Sequence, residues 1–287
     1  MTDNEQPRRP GPWDLPAPGP AAARSDVGHP AVQARSSRQD PVRGQHPAVA
    51  IGGTLLFFGF IWFVTESWIM ATALIFGLFV HEYGHVLAMN RMGMGPARIY
   101  IIPFLGGLAR GQREASNEWH GVLVSLAGPA FGLLAALPFF ALWIGLGSAE
   151  WLLGAAVIAG LNLVNLAPAP PLDGSQALGP VLARIHPTLE RGAMILIGAL
   201  IVYWGVSTGR WILAVFLALA LIGHLRRGAW RPMGAPLSVQ QAFASVGLYL
   251  ATGLACVGVG LAALVPLAEG SLSAALQIAG AYLGFRS

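Results

Sequence analysis

Apolar runs of membrane-spanning length recur along this chain from Ala48 onward, and that pattern leaves few folds open. They lie near residues 48–65, 67–91, 119–146, 150–167, 192–208, 211–225, 241–265 and 271–285. About 20 consecutive apolar residues cross the hydrocarbon core of a bilayer as a helix. The expectation is therefore seven or eight transmembrane helices, the last run being short and weak. A large soluble core is the alternative, and composition argues against it. Of 287 residues, 55% are hydrophobic and 10% charged, against about 25% charged in an ordinary soluble domain. The fold class is an all-α polytopic membrane protein, with the lipid bilayer as its first partner. The single cysteine, Cys256, lies inside an apolar run, so neither an intrachain disulfide nor a cysteine-based metal site is available.

All 17 basic residues are arginine, and their placement sets the topology. They occupy tails and short loops instead of one face, which speaks against a nucleic-acid partner. Six precede the first span: Arg8, Arg9, Arg24, Arg35, Arg38 and Arg43. Arg91, Arg98, Arg110 and Arg113 lie between spans 2 and 3, Arg184 and Arg191 follow span 4, and Arg226, Arg227 and Arg231 follow span 6. Cytoplasmic loops are the ones enriched in Lys and Arg. With the amino terminus inside, every one of these is cytoplasmic, as is Arg286, and Arg210 alone is left outside. Residues 1–46, rich in Pro, Gly, Ala, Ser and Arg, carry no hydrophobic periodicity and read as a disordered cytoplasmic tail.

Span 2 holds the chain's sharpest chemical signal, His81-Glu82-Tyr83-Gly84-His85. Ionisable groups in hydrocarbon are costly, so a cluster of them marks a functional site by default. On a helix, positions i and i+4 share a face one turn apart. Two imidazoles so placed can each offer a nitrogen to one zinc ion, and Glu82 sits close enough to take a proton from water at the metal without being a ligand. That division of roles suits metal-assisted hydrolysis. Gly84 leaves room for another element to approach. A third ligand is required, and the candidates include His120, His186, His224, Glu114, Glu118 and Glu190. Asp173 is set apart by its surroundings, "LNLVNLAPAPPLDGSQALG", Leu161 to Gly179. Pro168, Pro170 and Pro171 force the helix of span 4 to end or unwind, apart from its two asparagines an apolar run. Asp173 reaches the depth of the histidines only if this segment bends back into the protein. Between spans 2 and 3, "ARIYIIPFLGGLARG" reads as a small hairpin at the cytoplasmic face, lining a cavity.

HExxH in one span, followed by N-x-x-P-x-P-x-L-D-G on Asn165, Pro168, Pro170, Leu172, Asp173 and Gly174, resembles the site-2 protease family of intramembrane zinc metalloproteases. The "SLAGPAFGLL" run at Ser125–Leu134 and the "PFLGG" hairpin look like that family too. The resemblance covers residues 67–180, which it makes the three-helix metalloprotease core. Residues 47–66 are then a preceding transmembrane helix, and 181–287 additional ones. It implies Zn2+ bound by His81, His85 and Asp173, Glu82 as general base, and Asn165 positioning the substrate peptide. It also implies that the hairpin, through Gly106 and Gly107, offers a strand edge to an unwound substrate. The expected protein is a multi-pass protease of the bacterial inner membrane, opening to the cytoplasm and cutting membrane-anchored substrates in or near their transmembrane helices, in regulated intramembrane proteolysis. No stretch between the motifs is long enough for a PDZ domain. The rival reading is a membrane metal-binding or transport protein without proteolytic activity, which leaves Glu82 without a task. The sequence carries no signal for an oligomeric state.

Overall fold

The computed structural model of the chain describes residues 45–102, 106–227, 234–282 and 284. The tail through residue 44 and the hairpin tip Pro103-Phe104-Leu105 lie outside the described residues, so the reading of a disordered tail falls there. The described chain is mostly helical, with one small hairpin. Its helices are α1 (Pro47–Thr65), α2 (Trp68–Arg91), α3 (Glu118–Gly132), α4 (Leu137–Leu146), α5 (Glu150–Asn165), α6 (Asp173–Ile185), α7 (Pro187–Ser207), α8 (Trp211–Arg227), α9 (Val239–Leu267) and α10 (Leu272–Tyr282). The hairpin pairs β1 (Arg98–Ile102) with β2 (Gly106–Arg110). Five helical stretches are long and apolar enough to cross a membrane: α1, α2, the α3–α4 rod, α7 and α9. Shorter apolar helices occupy the other three expected spans.

Local chemistry starts these helices where the runs begin. Ser67 caps α2 by accepting from the Met70 amide, and Asn117 caps α3 by accepting from the His120 amide. Ser238 and Gln241 form a reciprocal capping box at the start of α9. Pro138 deprives the Leu134 carbonyl of its helical donor, and the Leu137 amide takes that carbonyl instead. The rod from Glu118 to Leu146 therefore tightens into a 3-10 turn over Leu133–Ala136 before resuming as α4.

Small residues decide which helices meet. The buried stripe of α2 runs Ile69, Ala73, Gly77, His81, Gly84, Ala88, at helical spacing. A β-carbon at Gly77 would lie 3.0 Å from Ile158 of α5, and one at Gly84 would lie 2.5 Å from the Ala127 carbonyl oxygen and 2.7 Å from Phe131 of α3. Apolar helices in lipid gain little hydrophobic drive from meeting, so close backbone approach through Gly and Ala holds such a bundle together. The element expected to approach Gly84 is thus α3. Two apolar clusters result. One joins Ile69, Ala73, Phe139, Ala155, Ile158 and Ala263. The other joins Val122, Leu126, Leu166, Ala177, Ala242 and Cys256.

One helix lies outside the expected order. Between spans 4 and 5, directly after the proline-rich stretch, α6 begins at Asp173 itself. At 16 residues, α5 is about 24 Å long, shorter than the hydrocarbon core. The turn from Leu166 to Leu172 replaces its missing end, and protein covers that backbone: Tyr249 of α9 donates its hydroxyl to the Leu166 carbonyl at 2.6 Å. Irregular backbone at membrane depth needs such cover. A β-carbon at Gly174 would fall 2.0 Å from the same carbonyl oxygen, so the chain doubles back onto α5 at a position only glycine fits.

Candidate metal centre and active site

The turn after α5 brings Asp173 to the histidines of α2. Its Oδ2 lies 3.1 Å from His81 Nε2 and its Oδ1 3.3 Å from His85 Nε2. The two Nε2 atoms are 3.1 Å apart. All three residues are buried, the most exposed of them at 9%. Among the described residues they are the one group of three or more such side chains placed to share a metal ion.

Which nitrogen of each neutral histidine ring holds the proton follows from its other partner. His85 Nδ1 lies 2.8 Å from the Val124 carbonyl oxygen of α3, which can only accept, so Nδ1 carries the proton. Asn162 of α5 gives its amide nitrogen to the Ile158 carbonyl at 2.7 Å and turns its oxygen to His81 Nδ1 at 2.9 Å. In neutral imidazoles, both Nε2 atoms then present lone pairs toward each other and toward a carboxylate. In that form no proton lies between them, and Asp173 Oδ2 is a buried oxygen with no hydrogen-bond partner. Buried acceptors left without a donor are costly. A divalent cation among them removes that cost. Two ligands each about 2.0–2.1 Å from a tetrahedral zinc stand about 3.3 Å apart, close to the three separations above. Imidazole and carboxylate donors suit zinc among the first-row metals.

The helix opposite leaves the space such an ion needs. A β-carbon at Gly128 of α3 would lie 2.3 Å from His85 Nε2 and 2.9 Å from His81 Nε2, inside the converging ligand atoms. One turn on, a β-carbon at Gly132 would lie 2.0 Å from Asn162 Oδ1. These two glycines belong to the "SLAGPAFGLL" run and give one face of α3 its fit to the site.

Glu82 is 6% exposed and lies under the hairpin. The Ala109 amide of β2 donates to its carboxylate. A β-carbon at Gly107 would lie 2.5 Å from Glu82 Cγ. Ile101 pairs with Gly107 in the register, yet exchanges both of its backbone bonds with the Gln45 side-chain amide, each at 2.9 Å. Ile101 and Gly107 are therefore a non-hydrogen-bonded pair, and by alternation so are Ile99 and Ala109. Gly107 and Ala109 consequently turn their backbone groups outward from β2, toward Glu82. The expected contribution of Gly106 and Gly107 thus falls on the strand nearest the carboxylate, Gly106 at its start.

Asn165 stands apart from the cluster, its amide donating back to the Leu161 carbonyl at 3.1 Å. Several rival ligand candidates are engaged elsewhere. Glu118 accepts from the Leu237 amide at 2.9 Å, His120 contacts Ser116 at 2.9 Å, and His186 caps α7. The His224 side chain lies outside the described residues. Asn162 was legible only as a polar interruption of span 4. The cost of a buried amide in lipid was the signal that it needed a partner.

Comparison with known proteins bears on the same segment. Over 134 residues the chain is 31% identical to a protein of Synechocystis sp. provisionally named as a zinc metalloprotease, a match covering 44% of this chain and 35% of that one. The chain thus spans about a third of that relative's length. No solved structure matches it. Residues 69–149 match the sequence profile of peptidase family M50. That stretch holds the HExxH helix, the hairpin and the glycine-bearing α3, and over it this membrane-helical chain is similar to the site-2 protease family, M50.

Proposed function

We propose that this protein is an intramembrane zinc metalloprotease that hydrolyses peptide bonds in or near the transmembrane helices of membrane-anchored substrates. The observation that carries the proposal is the meeting of three buried metal-capable side chains with a fourth residue, the acid Glu82, held beside them by the hairpin and not among the convergent atoms. A storage or transport site has use for the three and none for the fourth. Bound zinc would polarise the scissile carbonyl and make water a better nucleophile. Glu82 would take the proton of the attacking water and return it to the leaving amine. The substrate must first unwind, because a helix hides its peptide bonds in its own hydrogen bonds. Gly107 and Ala109 are placed to receive the unwound segment as an added strand, which would take the Ala109 amide from Glu82. Asn165 would steady the substrate backbone beside the turn.

The arginines at the hairpin, at Arg91 and at the α6–α7 junction lie on the loops expected to be cytoplasmic. This supports an inner-membrane protein opening inward, where clipping a tethered regulator would release it into the cytoplasm. The test is zinc content and cleavage of a Gly/Pro-containing transmembrane peptide, on purified wild type, Glu82→Gln and Asp173→Ala. The proposal expects about one zinc and cleavage in wild type, zinc without cleavage in Glu82→Gln, and neither in Asp173→Ala. Wild type that holds zinc and cuts no transmembrane peptide would return the site to storage or transport.

A further inference from the structure

Resting on the metal-centre reading above, we infer that Asn162 is a positioning residue for the metal: through its amide, the backbone of α5 fixes which nitrogen of His81 faces the site. The amide is fully buried and its polarity is set at one end. Its nitrogen must donate to the Ile158 carbonyl, which has nothing to give in return, at 2.7 Å. The oxygen is then the atom facing His81, at 2.9 Å from Nδ1, and it accepts only if Nδ1 carries the proton. Nε2 is left with its lone pair in the site. The opposite tautomer would set the lone pairs of Nδ1 and Oδ1 against each other in a place without water. Gly132 keeps the arrangement in register, because any side chain there meets Asn162 Oδ1 before it meets anything else.

Asn162 is also uncharged. A carboxylate often serves this purpose behind a metal-bound histidine, but it would add a second buried negative charge beside Asp173. The amide orients the imidazole without that charge. His85 is oriented in the same way by the Val124 carbonyl of α3. Helices on either side of α2 thus each orient one histidine of the HExxH motif.

The test is zinc affinity by competition with a chelator, on purified full-length protein. Asn162→Leu fills the same volume with no acceptor, Asn162→Asp keeps the acceptor, and Gly132→Ala displaces the amide without altering it. The loss of such an outer partner weakens metal binding by about 10–100-fold. That loss is expected for Asn162→Leu and for Gly132→Ala, not multiplied when the two are combined, with most of the affinity restored in Asn162→Asp. Thermal unfolding of the metal-free proteins should leave Asn162→Leu as stable as wild type. If Asn162→Leu binds zinc like wild type, or Asn162→Asp binds as poorly as Asn162→Leu, Asn162 serves packing alone and the inference falls. A wild type that takes up no zinc removes the metal-centre reading, and this inference with it.

Discussion

Replacing Gly128 by alanine adds one methyl group, and the structure puts that carbon 2.3 Å from His85 Nε2 and 2.9 Å from His81 Nε2. Unbonded heavy atoms settle at about 3.5 Å or more, so the overlap at His85 is about 1.2 Å. Two kinds of relief exist. Moving α3 off α2 by about 1 Å opens the tight contact of Gly84 with Ala127 and Phe131, and a gap of that size forfeits a quarter to a half of the dispersion energy there. Turning His85 breaks its bond to the Val124 carbonyl, worth about 0.5–1.5 kcal/mol. It also moves the ring off its rotamer, at about the same cost. Either route separates the atoms that converge on the metal.

The metal-free protein feels much less of this. Alanine gains about 1 kcal/mol over glycine in a helix interior, and overpacking costs about 1–3 kcal/mol, so stability should change by about 2 kcal/mol at most. Zinc affinity should fall by at least about 100-fold, or about 2.7 kcal/mol at 1.36 kcal/mol per decade. Chelator competition measures the affinity, and a melting curve of the metal-free protein measures the stability. Gly121→Ala is the control: it lies on the same helix with nothing within 4 Å of its β-carbon, and should leave zinc binding unchanged. Wild-type zinc affinity in Gly128→Ala would refute the placement of the metal between α2 and α3.

Three further outcomes follow from the same geometry. Gly107→Val drives a side chain into Glu82 Cγ, 2.5 Å from a β-carbon there, so kcat should drop by at least about 100-fold, the scale of a general base, with zinc content unchanged; loss of zinc as well would mean that the hairpin also shapes the metal site. Protons compete with the metal for the two Nε2 lone pairs, so acidification should release zinc with a slope above one proton per ion, read by metal content after dialysis across a pH series; pH-independent retention would point to ligands other than histidine. Asn165→Ala should raise KM for the transmembrane peptide with zinc affinity unchanged, and a fall in zinc affinity instead would move Asn165 from the substrate to the metal.

The sequence made the costly residues legible and the empty places hard to read. His81, Glu82 and His85 stand out because charge in an apolar run demands an explanation, and three prolines marked where α5 had to stop. The helix that follows was hidden. Gly174, Gly179 and Pro180 within 13 residues oppose helix formation in isolation. The fold forms α6 because Gly174 closes against the Leu166 carbonyl and Gly179 against Glu190 and Met194. Asn162 carried the same signal as the histidines, but its partner lies 81 residues away, beyond any periodicity. Among the glycines, Gly84 suggested a close approach without naming the partner, and Gly128 and Gly132 carried no signal of their own. A glycine acquires meaning from the neighbour that takes up its missing side chain. At 84 that neighbour is the backbone of α3, at 107 the Glu82 carboxylate, at 128 the two Nε2 atoms, and at 132 the amide that orients one of them. The site is built as much from those four absences as from the residues that would hold the metal, and each absence can be filled, one methyl at a time, to ask which step fails.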